Sequence, residues 1–96
     1  MKFEWDPRKA ARNLAKHGVA FTEALTVFGD PLARIFDDEE HSSEPEKREI
    51  LVGHSTRGRL LLVCFTEREE STVRIFAAWK ATKKERSDYE ENVQSS

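Results

Sequence analysis

The stretch RLLLVCFT, residues 59–66, decides the fold of this 96-residue chain. Its six consecutive apolar residues, 60–65, predict a central strand that is covered on both faces. The next apolar stretch, TVRIFAAWK at residues 72–80, predicts a neighbouring strand after a polar turn. Because side chains alternate between the two faces of a strand, its residues divide into two sets. The odd-numbered set is Val73, Ile75, Ala77 and Trp79, and the even-numbered set is Arg74, Phe76, Ala78 and Lys80.

Three more strands are predicted on the N-terminal side of this pair. Residues 49–54 form the nearest one, and a hairpin turn at 55–58 joins it to the central strand, with Gly58 free to adopt a positive φ. Residues 32–36 form a shorter strand, and the alternating segment 3–5 opens the chain as another.

Two helices are predicted between the opening strand and the rest. Asp6 is a good N-cap residue and Pro7 suits the first helical position, so a helix begins here and runs to about residues 16–17. Gly18 then supplies the left-handed residue that ends it. Thr22 is expected to cap a second, short helix, which ends at residues 29–31.

A third helix follows the last strand. Thr82 and Glu85 form a capping box, Tyr89 is the main apolar anchor, and residues 93–96 are expected to be frayed. The prediction is therefore a single α+β domain over residues 1–96, with an antiparallel sheet of about four strands, two N-terminal helices and one C-terminal helix.

The net charge of −2 is unevenly distributed. Residues 37–49 carry seven acidic and two basic side chains, and the remaining chain has 14 basic and 11 acidic ones. Basic residues concentrate in 8–17 and 80–86. Charge runs of this kind are compatible with a well-solvated surface, and also with an RNA-facing surface beside an acidic loop.

Other function classes find little support. No apolar run approaches the roughly 20 residues of a membrane span, and the N-terminus has no signal-peptide pattern. Cys64 is the one cysteine, so no internal disulfide forms, which fits a cytoplasmic location. The three histidines, His17, His41 and His54, lack metal-ligand spacing, and no cofactor motif is present. Cys64 itself is interpreted as a buried hydrophobe rather than a nucleophile.

Cationic side chains remain as the candidates for chemistry. RNA cleavage by a 2′-hydroxyl requires a base, an acid and cations for the developing phosphorane charge. Histidine changes its protonation state near neutral pH, so His17 suits either proton-transfer role, although a helix-end histidine also binds carbonyl groups. Lys83 and Lys84 lie at a helix N-terminus, where cations are unfavourable unless an anion binds or Glu85 offsets them.

An ordered set of short motifs runs through nearly the whole chain. The first half has FEWDP at 3–7, Asn13-x-x-Lys16-His17-Gly18-Val19, the segment 21–28 and Asp30-Pro31. The second half has Gly53-His54-Ser55, Gly58-Arg59, Arg74-Ile75, Lys80-Ala81-Thr82-x-x-Glu85-Arg86 and Tyr89-Glu90. Over about residues 3–91 this set resembles the BrnT family.

The resemblance implies a fold similar to the RelE toxins and the activity of a ribonuclease toxin from a type II toxin–antitoxin pair. It implies cleavage of messenger RNA, which arrests translation, and we expect this cleavage to be metal-independent. It also implies a BrnA-type antitoxin, a ribbon-helix-helix protein through which the complex binds operator DNA.

Nine residues are predicted to act on RNA. Those placed around the scissile phosphate are His17, Lys80, Lys83 and Arg86. Those expected to support RNA binding are Lys16, Arg59, Arg74, Trp79 and Lys84.

One residue departs from the family pattern. The run Ser-Ala-Arg-(Lys/Arg)-Ala-Thr is usual before the last helix, whereas residues 77–82 read AAWKAT, with Trp79 in place of arginine and Ala77 in place of serine. Loss of the guanidinium predicts a weakened or inactive toxin that still binds its antitoxin and co-represses the operon. Alternatively, Trp79 stacks on an RNA base while Lys80 or Arg74 supplies the charge, or it simply packs beneath the last helix.

Overall fold

The computed structural model describes residues 1–43, 46–69 and 71–94. The strands are β1 Lys2–Glu4, β2 Arg34–Asp37, β3 Glu49–His54, β4 Leu60–Arg68 and β5 Thr72–Lys80. The helices are α1 Pro7–His17, α2 Phe21–Ala24 and α3 Lys83–Gln94, with a 3₁₀ helix at Leu25–Gly29 directly after α2.

The strands form one mixed sheet in the order β1-β5-β4-β3-β2. Strands β2 to β5 are antiparallel, as predicted, but β1 pairs with β5 in parallel, from Lys2 opposite Thr72 to Glu4 opposite Arg74. The predicted antiparallel sheet of about four strands is therefore confirmed for β2–β5, and β1 adds a fifth, parallel strand that the predicted sheet did not include. A parallel neighbour requires a long connection, and the whole chain between β1 and β5 provides it.

Strand β4 is the centre of the sheet, with β5 on one side and β3 on the other. Its residues 60–66 are all buried, which confirms the predicted central strand. Residues from α1's end to the 3₁₀ helix cover one face, and this cluster includes Val19, Phe21 and Val27. Tyr89 of α3 covers the other face, next to Leu60 and Leu62.

A β-bulge in β5 overturns the predicted alternation of its side chains. Ile75 pairs with Phe65 and Ala77 pairs with Cys64, so Phe76 is an extra residue on this strand. Val73, Ile75 and Ala78 consequently lie in one core cluster, while Trp79 packs against the other. The odd and even sets thus exchange faces at Phe76, and Arg74 and Lys80 lie on opposite faces.

The local helix signals are mostly confirmed. The Asp6 carboxylate accepts a hydrogen bond from the Arg8 amide at 2.8 Å, and Gly18 ends α1 with φ 69°. The capping box at α3 joins Thr82 and Glu85 in both directions, at 2.8 and 3.1 Å.

Thr22 does not cap the second helix, which is a correction. Helix α2 begins at Phe21, so Thr22 already lies inside the helix, and Ala20 precedes it without a side-chain cap. At the C-terminus, α3 extends through Gln94, and residues 95–96 of the predicted frayed tail lie outside the described part of the chain.

Asn13 fixes α1 against the edge of β5. Strand β1 pairs only with residues 72–74, so the edge of β5 beyond them needs another hydrogen-bonding partner. The buried Asn13 amide accepts from the Ala78 N–H at 3.1 Å and donates to the Ala78 carbonyl at 2.7 Å. It also donates to the Val19 carbonyl at 2.9 Å. One side chain thereby replaces a strand and fixes the position of α1.

Candidate nucleic-acid interface

Helix α1 presents a row of cations next to the β5 bulge. Lys9, Arg12 and Lys16 are spaced three and four residues apart, which places them on one side of the helix. Together with Asn13, His17 and Phe76 they line a groove of about 180 Å³. The groove is open to solvent and lined by cations, which is the setting that attracts a phosphate backbone.

Two aromatic side chains of β5 border this groove. The Lys9 Nζ lies 5.3 Å from the centroid of the Phe76 ring, and the Arg48 guanidinium carbon lies 3.8 Å from it. The Trp79 ring lies 6.2 Å from the His17 ring, measured between centroids. The end of α1 therefore meets the end of β5, which connects the two basic regions of the sequence at this point.

A second cavity of about 460 Å³ continues from the same aromatic residues. It is lined by Lys9, Asp38, Glu40, His41, Arg48, Ile50, Cys64, Phe76, Ala77 and Trp79. Five of these residues belong to the acidic segment 37–49 or directly follow it. Sequence reasoning missed the site because it treated this segment as a solvated loop, although Asp38 and His41 have a spacing that allows side-chain contact.

Cys64 is buried in this cavity and hydrogen-bonds to a carboxylate. Its Sγ donates to the Asp38 Oδ2 at 3.6 Å, and burial, with Asp38 as a further cause, raises the pKa of the Cys64 thiol to about 11. The thiol therefore stays protonated at neutral pH and is a poor nucleophile.

We expect Cys64 of the folded protein to react with a thiol reagent at pH 8 at least about tenfold more slowly than in denaturant, since the thiolate is the reactive form and burial suppresses it. The measurement is the rate of modification by dithiobisnitrobenzoate with and without guanidinium chloride. Equal rates in the two conditions would contradict this assignment.

The predicted cations near the C-terminus follow one another along the chain and are exposed to solvent. Lys80, Lys83, Lys84 and Arg86 are exposed at the end of β5 and the start of α3. Within residues 1–43, 46–69 and 71–94, none of the four lies in an ion pair with a carboxylate. These side chains are thus available to an anionic ligand.

Arg59 and Arg74 are instead held by carboxylates. Arg59 donates to both oxygens of the buried Glu23, from Nε at 2.9 Å and from Nη2 at short range, and also to the Gly18 carbonyl at 3.1 Å. This contact is the main cause that lowers the pKa of Glu23 and raises the pKa of Arg59. Arg74 lies 3.7 Å from Glu4. Sequence reasoning did not anticipate either pair.

Another depression, formed at the far end of β4 and β5, is not suited to RNA. It measures about 720 Å³ and is lined by Glu4, Glu46, Glu67 and Glu69, with a single arginine, Arg68. Four carboxylates repel phosphate groups. The described part of the chain contains no cluster of metal-ligating side chains, and none of its helices has the length and apolarity of a membrane span.

Comparisons with known proteins identify the family. A family model described as the ribonuclease toxin BrnT of a type II toxin–antitoxin system matches residues 5–85. The chain belongs to the BrnT family. The resemblance seen in the motifs is thereby confirmed, and type II toxin–antitoxin membership implies an antitoxin partner.

A solved structure has a similar fold. The crystal structure of the ribonuclease toxin BrnT from Brucella abortus superposes with a TM-score of 0.67 at 21% identity, covering 86% of this chain and 99% of that chain. No curated protein matches the chain.

Proposed function

We propose that this BrnT-family protein is a metal-independent endoribonuclease that cleaves messenger RNA and thereby inhibits translation. The observation that carries the proposal is the cationic groove of α1, which lies against Phe76 with His17 and Trp79 at one end. Lysine and arginine bind phosphates, and aromatic rings accept unstacked bases. Single-stranded RNA offers both groups to such a surface.

The proposed reaction is in-line attack of a 2′-hydroxyl on the adjacent phosphate. His17, at the groove's end, is assigned to proton transfer, and Lys80, Lys83 and Arg86 are assigned to the charge on the phosphorane. Lys16, Lys84 and Trp79 are proposed to bind the RNA on either side. Arg59 is paired with Glu23, and Arg74 is paired with Glu4. We therefore propose that these two arginines stabilise the RNA-binding surface rather than bind phosphate themselves.

The proposed partner is a BrnA-type ribbon-helix-helix antitoxin. Membership of a type II toxin–antitoxin family implies an antitoxin that neutralises the toxin. The BrnA type is proposed from the motif resemblance. Contact with operator DNA then occurs only through the antitoxin complex.

Trp79 supports a second candidate, an inactive toxin fold that binds its antitoxin and represses the operon. Its indole stands where the family motif has an arginine, and it packs against the core cluster of Tyr89. An indole carries no charge for the phosphorane, so its presence here removes one cation from the site.

A cleavage assay with the purified protein decides between the two. We expect the wild-type protein to cut single-stranded RNA in EDTA and to leave 2′,3′-cyclic phosphate ends. His17→Ala is expected to lower the rate about 10²-fold or more, as for loss of a proton-transfer group. The same protein expressed without an antitoxin is expected to arrest growth.

Trp79→Arg provides the matched comparison. If the wild-type protein is inert but Trp79→Arg cleaves, the inactive-module candidate is correct. If neither protein cleaves RNA under any condition with or without added metal, the endoribonuclease proposal is wrong. Full activity of His17→Ala would remove His17 from the mechanism and leave the endoribonuclease proposal standing.

A further inference from the structure

We propose that His41, oriented by Asp38, is the general base that accepts the proton of the attacking 2′-hydroxyl. The inference rests on the proposed endoribonuclease function and adds to it a catalytic pair that the sequence pattern did not indicate. The pair lies in the 460 Å³ cavity, together with Trp79 and with the cations Lys9 and Arg48.

The geometry of the pair defines which nitrogen is available. The His41 Nδ1 lies 3.1 Å from Oδ1 and 3.0 Å from Oδ2 of Asp38. A carboxylate only accepts hydrogen bonds, so Nδ1 carries the proton and Nε2 of the neutral ring has a free lone pair. The His41 side chain is 61% exposed, whereas that of Asp38 is 10% exposed. A buried carboxylate thus holds an accessible imidazole in the tautomer that suits a base.

The backbone around Asp38 is fixed by further hydrogen bonds. The Asp38 N–H donates to the Arg48 carbonyl at 2.9 Å. The Ser42 hydroxyl donates to the Asp38 carbonyl at 2.7 Å and accepts from the Arg48 N–H at 2.9 Å. These contacts close the turn that carries His41 and hold it beside Arg48. Such support is what a proton-transfer group needs to keep its orientation.

The cavity provides what an RNA nucleotide needs next to a base. Lys9 and Arg48 flank the Phe76 ring, and because the Arg48 Nε donates to a Glu46 carboxylate oxygen at 3.3 Å, Lys9 is the cation we assign to the phosphate. Trp79 lines the cavity, and its ring lies 6.2 Å from that of His17, so the cavity that contains His41 extends towards His17.

The step balances with two histidines. His41 Nε2 takes the 2′-hydroxyl proton while the O2′–P bond forms. The P–O5′ bond breaks, and the departing O5′ receives a proton from the imidazolium of His17. The products are a 2′,3′-cyclic phosphate and a 5′-hydroxyl end, with no oxidant or metal consumed.

The molecule contains a second Asp–His pair that serves as a control. The Asp30 carboxylate lies 3.8 Å from Nδ1 of the His54 ring. It already accepts hydrogen bonds from two backbone amides, that of His54 at 2.7 Å and that of Leu32 at 2.9 Å. The His54 ring packs on Tyr89 at 5.8 Å, outside the cationic cavity. This pair therefore has a structural role, and His54→Gln is the matched variant for His41→Gln.

The test compares cleavage of one single-stranded RNA oligonucleotide by the wild-type protein, His41→Gln and His54→Gln. We expect His41→Gln to lower the single-turnover rate by about 10²–10⁴-fold, with RNA affinity and melting temperature close to wild type. We expect His54→Gln to cleave within about threefold of wild type. A His41→Gln protein that cleaves at the wild-type rate would overturn the proposal, as would a loss of activity accounted for by unfolding or lost RNA binding.

The pH profile separates proton transfer from positioning. His41 faces Asp38 and Glu40 of its own loop, Arg48, Lys9 of α1 and Cys64 of β4. The wild-type rate is expected to fall in acid, as for any reaction that needs an unprotonated base, and His41→Gln is expected to lack this fall. An unchanged profile in His41→Gln would overturn the proposal while leaving RNA cleavage intact. Absence of cleavage by both the wild-type protein and Trp79→Arg would instead refute the proposed function, and this inference with it.

Discussion

Replacing Glu23 with alanine is expected to lower the free energy of unfolding by about 3–5 kcal/mol. The Glu23 side chain is only 6% exposed and binds Arg59 through two guanidinium nitrogens. It also accepts from the Ser55 hydroxyl at 2.7 Å and lies 3.6 Å from Arg57. Removing the carboxylate leaves the partly buried Arg59 guanidinium without its counter-charge, and that residual charge dominates the cost. Urea denaturation followed by tryptophan fluorescence measures the change.

Glu4→Ala is the control for this prediction. Glu4 also lies near two arginines, Arg68 and Arg74, each at 3.7 Å, but its side chain is 41% exposed. Solvent screens such a pair, so the expected loss is below about 1 kcal/mol. Equal losses for the two variants would show that burial of Glu23 does not decide the energy.

The Glu23 carboxylate makes the free energy of unfolding depend on pH. The Arg59 hydrogen bond is the largest cause that holds the pKa of Glu23 below its ordinary value of 4.5. Because the folded-state pKa is lowered, the contribution is present in full above the unfolded pKa and is lost as pH falls through the folded pKa. The difference between wild type and Glu23→Gln should therefore be largest at pH 7 and shrink in acid.

Local signals in the sequence were sufficient for most element boundaries. The Asp6-Pro7 start, the Gly18 end and the Thr82–Glu85 box each act within a few residues, so a single chain suffices to recognise them. The parallel pairing of β1 could not be predicted from such local signals, because it depends on which strand edge is free once the other strands have formed the sheet. The bulge at Phe76 has the same origin, because it arises from the register with β4.

In the candidate site, too, the local features could be predicted from sequence and the long-range contacts could not. The cations of α1 lie on one helix face and follow from helical spacing alone. Asp38, His41 and Cys64 come together only when the loop before β3 folds onto β4, across 26 residues. Likewise, Glu23 and Arg59 are 36 residues apart in the chain, and their pairing cannot be seen in the sequence. The sequence therefore predicts that Arg59 binds RNA, whereas in the fold it binds Glu23. Function-bearing contacts of this range require the tertiary structure.

Replacing Asn13 with leucine is expected to cost about 2–5 kcal/mol of unfolding free energy, because the Ala78 N–H and carbonyl both lose a buried partner. Leucine has a similar volume, so the loss reports hydrogen bonding rather than a cavity. The same change should loosen α1 from β5 and weaken RNA binding by the row of Lys9, Arg12 and Lys16, although none of these cations is altered. Denaturation midpoints and RNA titration by fluorescence anisotropy measure the two effects.

Asn92→Leu is the matched substitution, since the Asn92 amide is exposed and donates to the Asp88 carbonyl within α3, at 2.9 Å. Its expected cost is within about 0.5 kcal/mol, as for other surface changes. If Asn13→Leu unfolds at the same urea concentration as Asn92→Leu, the Asn13 amide does not stabilise the open edge of β5. If Asn13→Leu is destabilised but binds RNA as tightly as wild type, α1 reaches the RNA independently of that edge. If Asn13→Leu loses both stability and RNA affinity, the buried Asn13 amide holds α1 in the position where its cations and the aromatic residues of β5 bind the same RNA.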